Sequence, residues 1–202
     1  ARSGGRYPVA VAALLGPLSV LAELRSPTHL AADLYDHPDG VQEAMRLLTE
    51  WWVKLVSEHF RHLPQWHGGY TSSTRYLWAP GHIVEFDEDS SFMFSPRAHQ
   101  RFVMPHHREL VRHLDYAFIH LHSTQLHTLD NLLELDELAP GPSRGLAAIE
   151  LTPDYGASIP DLIPAIAKVQ AKKPVIVHGY LTAEEMRLVM ERVPPEGVCL
   201  AR

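Results

Sequence analysis

Short apolar runs alternate along this chain with longer segments in which apolar residues recur at helical spacing. The short runs are rich in Val, Ile and aromatic residues and are bounded by Gly or Pro, a pattern that predicts buried strands. The longer segments have the periodicity of amphipathic helices. The predicted strands are 8–16, 82–86, 116–122, 145–152, 174–179 and 197–202.

Helix start signals lie between these strands. Ser26 followed by Pro27 predicts one helix start, and Asp39 is predicted to cap the strongest helix, 40–63, which ends before Pro64. The other predicted helices lie in RAHQRFVMPHHRELVRHLD, with a break near its proline, in LHTLDNLLEL, in IPDLIPAIAKVQAKK and in TAEEMRLVMERV, capped by Thr182.

Several large side chains on these helices are predicted to have structural rather than chemical roles. His106, His107 and His113 are expected at the surface. Trp51 and Trp52 are expected in the core or at an interface, and the second interpretation is compatible with a homodimer.

The alternation of strand and helix predicts an α/β fold with a parallel sheet and right-handed crossovers. Such a sheet is either open and doubly wound or a (β/α)8 TIM barrel. No Gly-rich dinucleotide-binding turn follows any predicted strand. Because a complete barrel takes about 250 residues, we expect residues 1–202 to be one partial barrel domain, about strands 3 to 8, lacking the first two strands. A complete small open sheet is the alternative.

Composition excludes several classes of function. The formal net charge is −6 and no basic patch stands out, which argues against nucleic acid as a partner. No apolar run approaches about 18 residues, so no membrane span is predicted. The single cysteine, Cys199, excludes an internal disulfide and fits a reducing cytoplasm. Since the chain has 14 histidines, most of them must lie at the surface.

Polar side chains are concentrated where the predicted strands end. In parallel α/β sheets, the chemistry lies beyond the carboxyl ends of the strands. The residues at these ends are Asp87, Glu88 and Asp89; His120, His122 and Ser123; Glu150, Asp154 and Tyr155; His178; and Cys199 with Arg202. The opposite ends of the same strands are apolar, so this asymmetry predicts a functional site at the carboxyl end.

His120 and His122 lie one residue apart, so they face the same side of a strand and can offer two nitrogens to one metal. Further ligands could come from Cys199, Glu150, His178 or an acid at 87–89. Zinc suits this mixture of nitrogen, oxygen and possible sulfur ligands. The competing interpretation is that the two histidines bind substrate by hydrogen bonds, or that one caps the next helix.

The remaining candidates are assigned to catalysis or to substrate binding. Asp87, Asp154 and His178 are the catalytic candidates, with a cap role open for Asp154 and an oriented core histidine open for His178. The long irregular segment 65–81 is typical of a functional lid. The substrate-binding candidates are Gly16, His67, Tyr70, Ser123 and Tyr155.

Four segments, in order, resemble the uroporphyrinogen decarboxylase family. They are PVAVAALLGPLSVLAELRSPTHLAADLYDHPDGVQEAM, DEDSSFMFSPRAHQRFVMPHHRELV, FIHLHSTQLHTLDNLLEL and KPVIVHGYLTAEEM. The resemblance covers nearly the whole chain and implies a (β/α)8 barrel. It also implies a small-molecule substrate of the tetrapyrrole or corrinoid class.

That family carries out two chemistries. Zinc-dependent relatives transfer methyl groups to or from a corrinoid or thiol and carry His-x-Cys, where this chain has His120-Leu121-His122. The other branch decarboxylates uroporphyrinogen, in porphyrin biosynthesis, without a cofactor; its Arg-rich segment and catalytic Asp belong to a part of the barrel that has no counterpart in this sequence.

We expect zinc-dependent methyl transfer at His120, His122 and Cys199, with a corrinoid as substrate or partner. Cofactor-free decarboxylation is the first alternative. A metal-dependent hydrolase is a further one, because His-x-His on a barrel strand also suits metal-activated water. An inactive barrel that serves as a binding module is the last.

Overall fold

The structure, a computed structural model, describes residues 3–137 and 145–201, so Arg202 lies outside the described residues. Within this part of the chain the strands are β1 (Leu14–Leu15), β2 (Tyr70–Thr71), β3 (Trp78–Ala79), β4 (Ile83–Asp87), β5 (Tyr116–His122), β6 (Leu146–Thr152), β7 (Val175–His178) and β8 (Val198–Ala201). The helices are α1 (Pro17–Arg25), α2 (Pro27–Asp36), α3 (Pro38–His62), α4 (Pro96–Phe102), α5 (Met104–Arg112), α6 (Leu129–Leu133), α7 (Ile159–Gln170) and α8 (Ala183–Arg192).

Six of these strands form one parallel sheet whose order, β1-β4-β5-β6-β7-β8, follows the chain. The other two, β2 and β3, form an antiparallel hairpin between α3 and β4. These parallel pairings confirm the predicted parallel α/β fold. In a doubly wound sheet the strand order reverses at a switch point, and the six described sheet strands show no such reversal.

The two faces of the sheet differ in chemistry because successive side chains point to opposite sides. One face is apolar and packs under the helices; it carries Val84, Phe86, Ile119, Leu121, Ile149, Leu151, Val175 and Val177. The other face, called here the polar face, carries ionisable groups toward the carboxyl ends of the strands. At the amino ends it is apolar and is covered by the hairpin, through Ile83, Phe118, Ala148 and Ile176 against Tyr70, Leu77 and Ala79.

The first predicted strand, 8–16, is mostly wrong. Only Leu14–Leu15 pairs in the sheet, with Phe86 and Asp87, and Val11 makes an isolated bridge to Ser72. Within the described residues β1 is the edge strand of the sheet, so residues 8–16 have a strand to pair with on one side only. The helix α1 was not predicted, because Ser26-Pro27 was the first helix start signal identified after the strand 8–16. Pro17 instead begins the helix, as proline does at a first helical position.

The other predicted elements are confirmed, with small shifts at their ends. Ser26 caps α2 and Thr182 caps α8. The break between α4 and α5 occurs at Val103, two residues before the proline. Asp39 lies in the first turn of α3, whose cap position is His37. No helix in the described part of the chain is both long and apolar enough to cross a membrane.

The prediction that His106 and His107 lie at the surface is wrong. Both are buried, and His107 is 0% exposed, because α5 turns this side toward α3 and the sheet. The Nδ1 of His106 lies 3.1 Å from the Oγ1 of Thr49, and the ring of His107 packs against Phe86. His113 is exposed, as expected. Trp52 is buried and Trp51 is exposed.

Because these histidines are buried, we expect the stability of the fold to fall at acid pH. Burial lowers the pKa of His99 to about 3, of His106 to about 4 and of His107 to about 3. In the unfolded chain a histidine has a pKa of about 6.5. Below that pH the unfolded chain binds more protons than the folded one, so the free energy of unfolding falls as the pH falls.

The expected result is that His106→Gln flattens the fall in unfolding free energy between pH 6.5 and 4, by up to about 1.4 kcal/mol per pH unit. Urea unfolding at several pH values measures this slope. His113→Gln is the matched control, because that histidine is exposed, and it should leave the slope unchanged. Equal slopes for the wild type and both variants would contradict the prediction.

Candidate metal centre

The carboxyl ends of β4, β5 and β6 bring three ionisable side chains side by side on the polar face. The strand register pairs Asp87 with His120 and His120 with Glu150. Glu85 lies two residues before Asp87 on β4, and His122 lies two residues after His120 on β5, so both side chains are on this same face. Glu150 is completely buried, Glu85 and His120 are nearly so, and His122 is half-buried at the rim. The predicted gathering of groups at one end of the sheet is therefore present.

The rings of His120 and His122 face each other through their Nε2 atoms, which lie 3.2 Å apart. Their planes are nearly perpendicular, at 87°, with ring centroids 4.5 Å apart. The third group at this point is Asp89, whose Oδ1 lies 3.0 Å from the Nε2 of His122. Asp89, His120 and His122 each offer one ligand atom, and these atoms lie within 4.8 Å of one another.

The other nitrogen of each ring is bound to a carboxylate. The Nδ1 of His120 lies 2.7 Å from an oxygen of Glu150, and the Nδ1 of His122 makes a short contact with Asp154. Ser123 fixes Asp154, because its backbone N–H donates to Oδ1 at 3.0 Å and its hydroxyl donates to the same oxygen at 2.7 Å. Both rings are thus oriented, with Nε2 directed toward Asp89 and the shared point.

This arrangement fits a metal ion by its donors and its spacing. Metal-bound histidines usually donate their second N–H to a carboxylate or carbonyl, as both Nδ1 atoms can do here. Zn–N bonds of about 2.0 Å in a tetrahedral site put neighbouring ligand atoms about 3.3 Å apart. The 3.2 Å and 3.0 Å separations around the Nε2 of His122 are close to that value. Two imidazoles and one carboxylate are also a typical set for a catalytic zinc with an open position.

The electric field at this point favours a positive charge. The hydrogen bond to Asp89, together with that to Asp154, raises the pKa of His122 to about 9 in spite of its burial. The same hydrogen bond to His122 lowers the pKa of Asp89 to about 2. Burial raises the pKa of Asp87 to about 7, assisted by its hydrogen bond with Asp89. In the absence of a metal, a proton on His122 therefore supplies the positive charge.

A second set of possible ligands lies deeper, at Glu85, His120 and Glu150. The guanidinium of Arg75 already provides a cation there, since it pairs with both carboxylates. Burial by itself would raise the pKa of Glu150, but the hydrogen bonds from His120 and Arg75 outweigh burial and hold this pKa below its usual range. The set at the rim, which consists of Asp89, His120 and His122, is therefore the better candidate for a metal.

Cys199, the predicted third ligand, is in neither of these sets. It lies on the polar face of β8 and packs with the apolar cluster formed by Phe118 and Ile176. Burial raises the pKa of its thiol. Asp89 takes the place that the sequence interpretation gave to Cys199.

The catalytic candidates lie at the same rim. The Nδ1 of His178 is 3.4 Å from Glu150 and has no hydrogen-bond partner within residues 3–137 and 145–201. Asp154 binds His122 and Ser123, so it orients a ring; it does not cap the following helix, whose cap is Ser158. Asp87 accepts a hydrogen bond from the backbone N–H of Asp89 at 3.0 Å.

Tyr155 and Ser123 lie beside His122 and Asp154 at the rim. The Tyr155 ring lies 5.4 Å from that of His122 and is exposed. Its φ of 49° is in the left-handed region, which is unusual for a residue with a side chain and occurs often at functional sites. The structure is therefore compatible with the substrate-binding role predicted for Tyr155.

Two other substrate-binding candidates, Tyr70 and His67, lie away from this rim. Tyr70 packs against Phe60 and against His82, which precedes β4, so it lies by the amino ends of the strands. His67 lies three residues before it, ahead of β2. The segment 65–81 therefore does not form a lid over the carboxyl ends.

The remaining candidate, Gly16, follows β1 at the rim, where its backbone N–H donates to the carbonyl oxygen of Asp87 at 2.6 Å, and close packing requires a glycine there. The Glu88 carboxylate reaches past it to the backbone N–H of Leu18 and of Ser19, at 3.3 Å and 2.9 Å. A Cβ on Gly16 would lie 2.3 Å from this carboxylate. The close approach of Glu88 therefore requires glycine at this position.

Two site residues, Glu85 and Arg75, were not predicted. A signal was present for Glu85, because an acid at an alternating position inside the apolar run HIVEF must be buried beside a partner. Arg75 lies in an irregular segment, where no periodicity indicates its direction. No protein-family model matches this chain, and no curated protein gives a significant match.

Gly16→Ala is expected to destabilise the fold, by about 1–3 kcal/mol, because the added methyl group overlaps the Glu88 carboxylate. Chemical denaturation measures the change. Gly40→Ala is the matched control: it lies in α3, its nearest atom would be 3.9 Å from a new Cβ, and alanine favours a helix. If Gly16→Ala were as stable as Gly40→Ala, the packing explanation would fail.

Proposed function

We propose that this chain is part of a (β/α)8 barrel enzyme, similar to the uroporphyrinogen decarboxylase family, that catalyses zinc-dependent methyl transfer. The zinc ligands are His120, His122 and Asp89. One observation carries this proposal: two Nε2 atoms lie 3.2 Å apart beside Asp89 while both Nδ1 atoms are bound to carboxylates.

The strand order supports the barrel part of the proposal. Strands that are all parallel and follow the order of the chain are the arrangement of a (β/α)8 barrel, whose active site lies at the carboxyl ends of its strands. The candidate metal centre lies at those ends. Three of the four family-like segments contain all or most of a strand of this sheet, namely β1, β5 and β7, and the second segment begins at Asp87, the last residue of β4.

The metal and the protein supply different parts of the chemistry. A bound zinc ion would provide a Lewis acid that favours the thiolate form of a thiol substrate. Glu150 and Asp154 orient the two histidine rings. Asp87, next to the centre, is placed to hold or release a proton, and the exposed ring of Tyr155 is placed to contact the substrate.

A second candidate function, cofactor-free decarboxylation, is favoured by one observation. Decarboxylation of a pyrrole acetate needs an acid that protonates the ring before CO2 leaves. The exocyclic methylene that remains then takes up a proton while the ring proton returns to a base, so one proton is consumed overall. Asp87 has a pKa raised to about 7 by burial and lies at the rim beside protonatable histidines. In this alternative His120 and His122 move protons and bind no metal.

The expected result of zinc titration is one bound equivalent for the wild type. His122→Ala and Asp89→Asn remove ligands, so each should weaken zinc binding by about 100-fold or more. Competition with a chromophoric chelator measures the affinity, and elemental analysis measures the stoichiometry. His113→Ala is the control, since it removes an exposed histidine that faces only Glu109.

Binding of zinc by the wild type with the same affinity in His122→Ala would contradict this ligand set. If the wild type bound no zinc, methyl transfer at a metal would be excluded and decarboxylation would become the better explanation.

The zinc-loaded wild type is expected to transfer the methyl group of methylcobalamin to an added thiol, followed by the absorbance change of the corrinoid. Zinc-free protein and His122→Ala should lose this activity, while His113→Ala keeps it. Consumption of uroporphyrinogen by the zinc-free protein, with no methyl transfer, would instead support decarboxylation.

A further inference from the structure

We infer that Arg75 is a positioning residue for the metal centre, acting through Glu150 on the ring of His120. This inference rests on the proposed function and adds to it a residue outside the ligand set. Among the described residues Arg75 makes no hydrogen bond to Asp89 or to His122. Its Nη2 lies 2.5 Å from Glu150 and 3.4 Å from the Nδ1 of His120, so its shorter contact, and with it the main route to the ring, is through Glu150.

The Arg75 side chain holds Glu150 with both arms of its guanidinium. Its Nε donates to one oxygen of Glu150 and its Nη2 donates to the other, at 2.5 Å. The second carboxylate, that of Glu85, lies 3.6 Å from Nη2. Only 11% of the Arg75 side chain is exposed, and none of Glu150. A planar, two-point contact of this kind fixes the plane of the carboxylate as well as its charge.

The fixed carboxylate determines how His120 presents its other nitrogen. The oxygen that accepts from the Nη2 of Arg75 is also 2.7 Å from the Nδ1 of His120. A proton held on Nδ1 by this contact leaves the lone pair of Nε2 directed toward His122 and Asp89, as a metal ligand requires. If Arg75 were absent, Glu150 would be a buried carboxylate without a cation, and its orientation would no longer be fixed.

Arg75 reaches Glu150 from the hairpin on the polar face, which is itself well anchored. Ser72 and Leu77 close the loop around Arg75 by two hydrogen bonds, at 2.9 Å and 3.2 Å. The flanking strands pack on the apolar amino-terminal half of the polar face, through Leu77 and Ala79. The segment that was expected to be a lid therefore supports the metal centre from below.

The test uses two variants. Arg75→Met removes the positive charge and both donors, whereas Arg75→Lys keeps the charge but cannot make the planar two-point contact with the carboxylate. The control is Arg97→Met, since Arg97 is exposed on α4. The first measurement is the ¹⁵N chemical shifts of the His120 ring in metal-free protein, which report which nitrogen carries the proton. The second is zinc affinity by chelator competition.

In the wild type and in Arg97→Met, the His120 shifts should show a proton on Nδ1 and a free lone pair on Nε2. Arg75→Met should give a mixture of both forms and a zinc affinity about 10–100-fold weaker, the usual effect of losing a partner behind a ligand. For Arg75→Lys, both the His120 shifts and the zinc affinity should lie between those of the wild type and those of Arg75→Met. A purely structural role would lower the melting temperature and leave the His120 shifts unchanged.

A folded Arg75→Met with wild-type His120 shifts and wild-type zinc affinity would overturn the inference. If Arg75→Met does not fold, Arg75→Lys decides: unchanged shifts and affinity in that variant overturn it as well. Failure of the proposed function gives a different result, because the wild type would then bind no zinc. The His120 shifts of the metal-free variants would still decide the role of Arg75.

Discussion

Glu150, a carboxylate with no exposure to solvent, is the group on which the polar face depends. A buried negative charge is costly unless cations and hydrogen-bond donors surround it. Here they come from two directions: Arg75 from the hairpin and His120 from the neighbouring strand. This one charge therefore links the hairpin at the amino ends of the strands to the histidines at the carboxyl ends.

The parallel register explains why this charge network is continuous. Adjacent strands that run in the same direction place residues of equal height next to each other, so Asp87, His120 and Glu150 form a row across three strands. Residues two positions further, such as His122, extend the row toward solvent. The network becomes more exposed toward the rim, where His122 is half-buried.

The opposite face of the same strands is apolar and contributes to packing. Its side chains are branched aliphatic or aromatic and pack under the helices, and this packing keeps the strands in register. Buried histidines also occur away from the rim, between α3, α5 and the sheet. They have polar neighbours such as Thr49 but, among the described residues, belong to no group of converging ligand atoms. Burial of a histidine therefore does not by itself indicate a site in this chain.

The sequence by itself determined the parallel α/β fold, most element boundaries and the rim that bears His120, His122 and Asp154. These follow from local periodicity, from caps such as Ser26 and Thr182, and from the alternation of side chains along a strand. Only the tertiary structure decided the short β1, the burial of His106 and His107, and the partners around the histidines. Asp89 replaces Cys199 beside them because a turn after β4, and not the end of β8, comes closest. Arg75 joins the polar face because a whole hairpin folds onto it, and no local pattern records a contact between residues 75 positions apart.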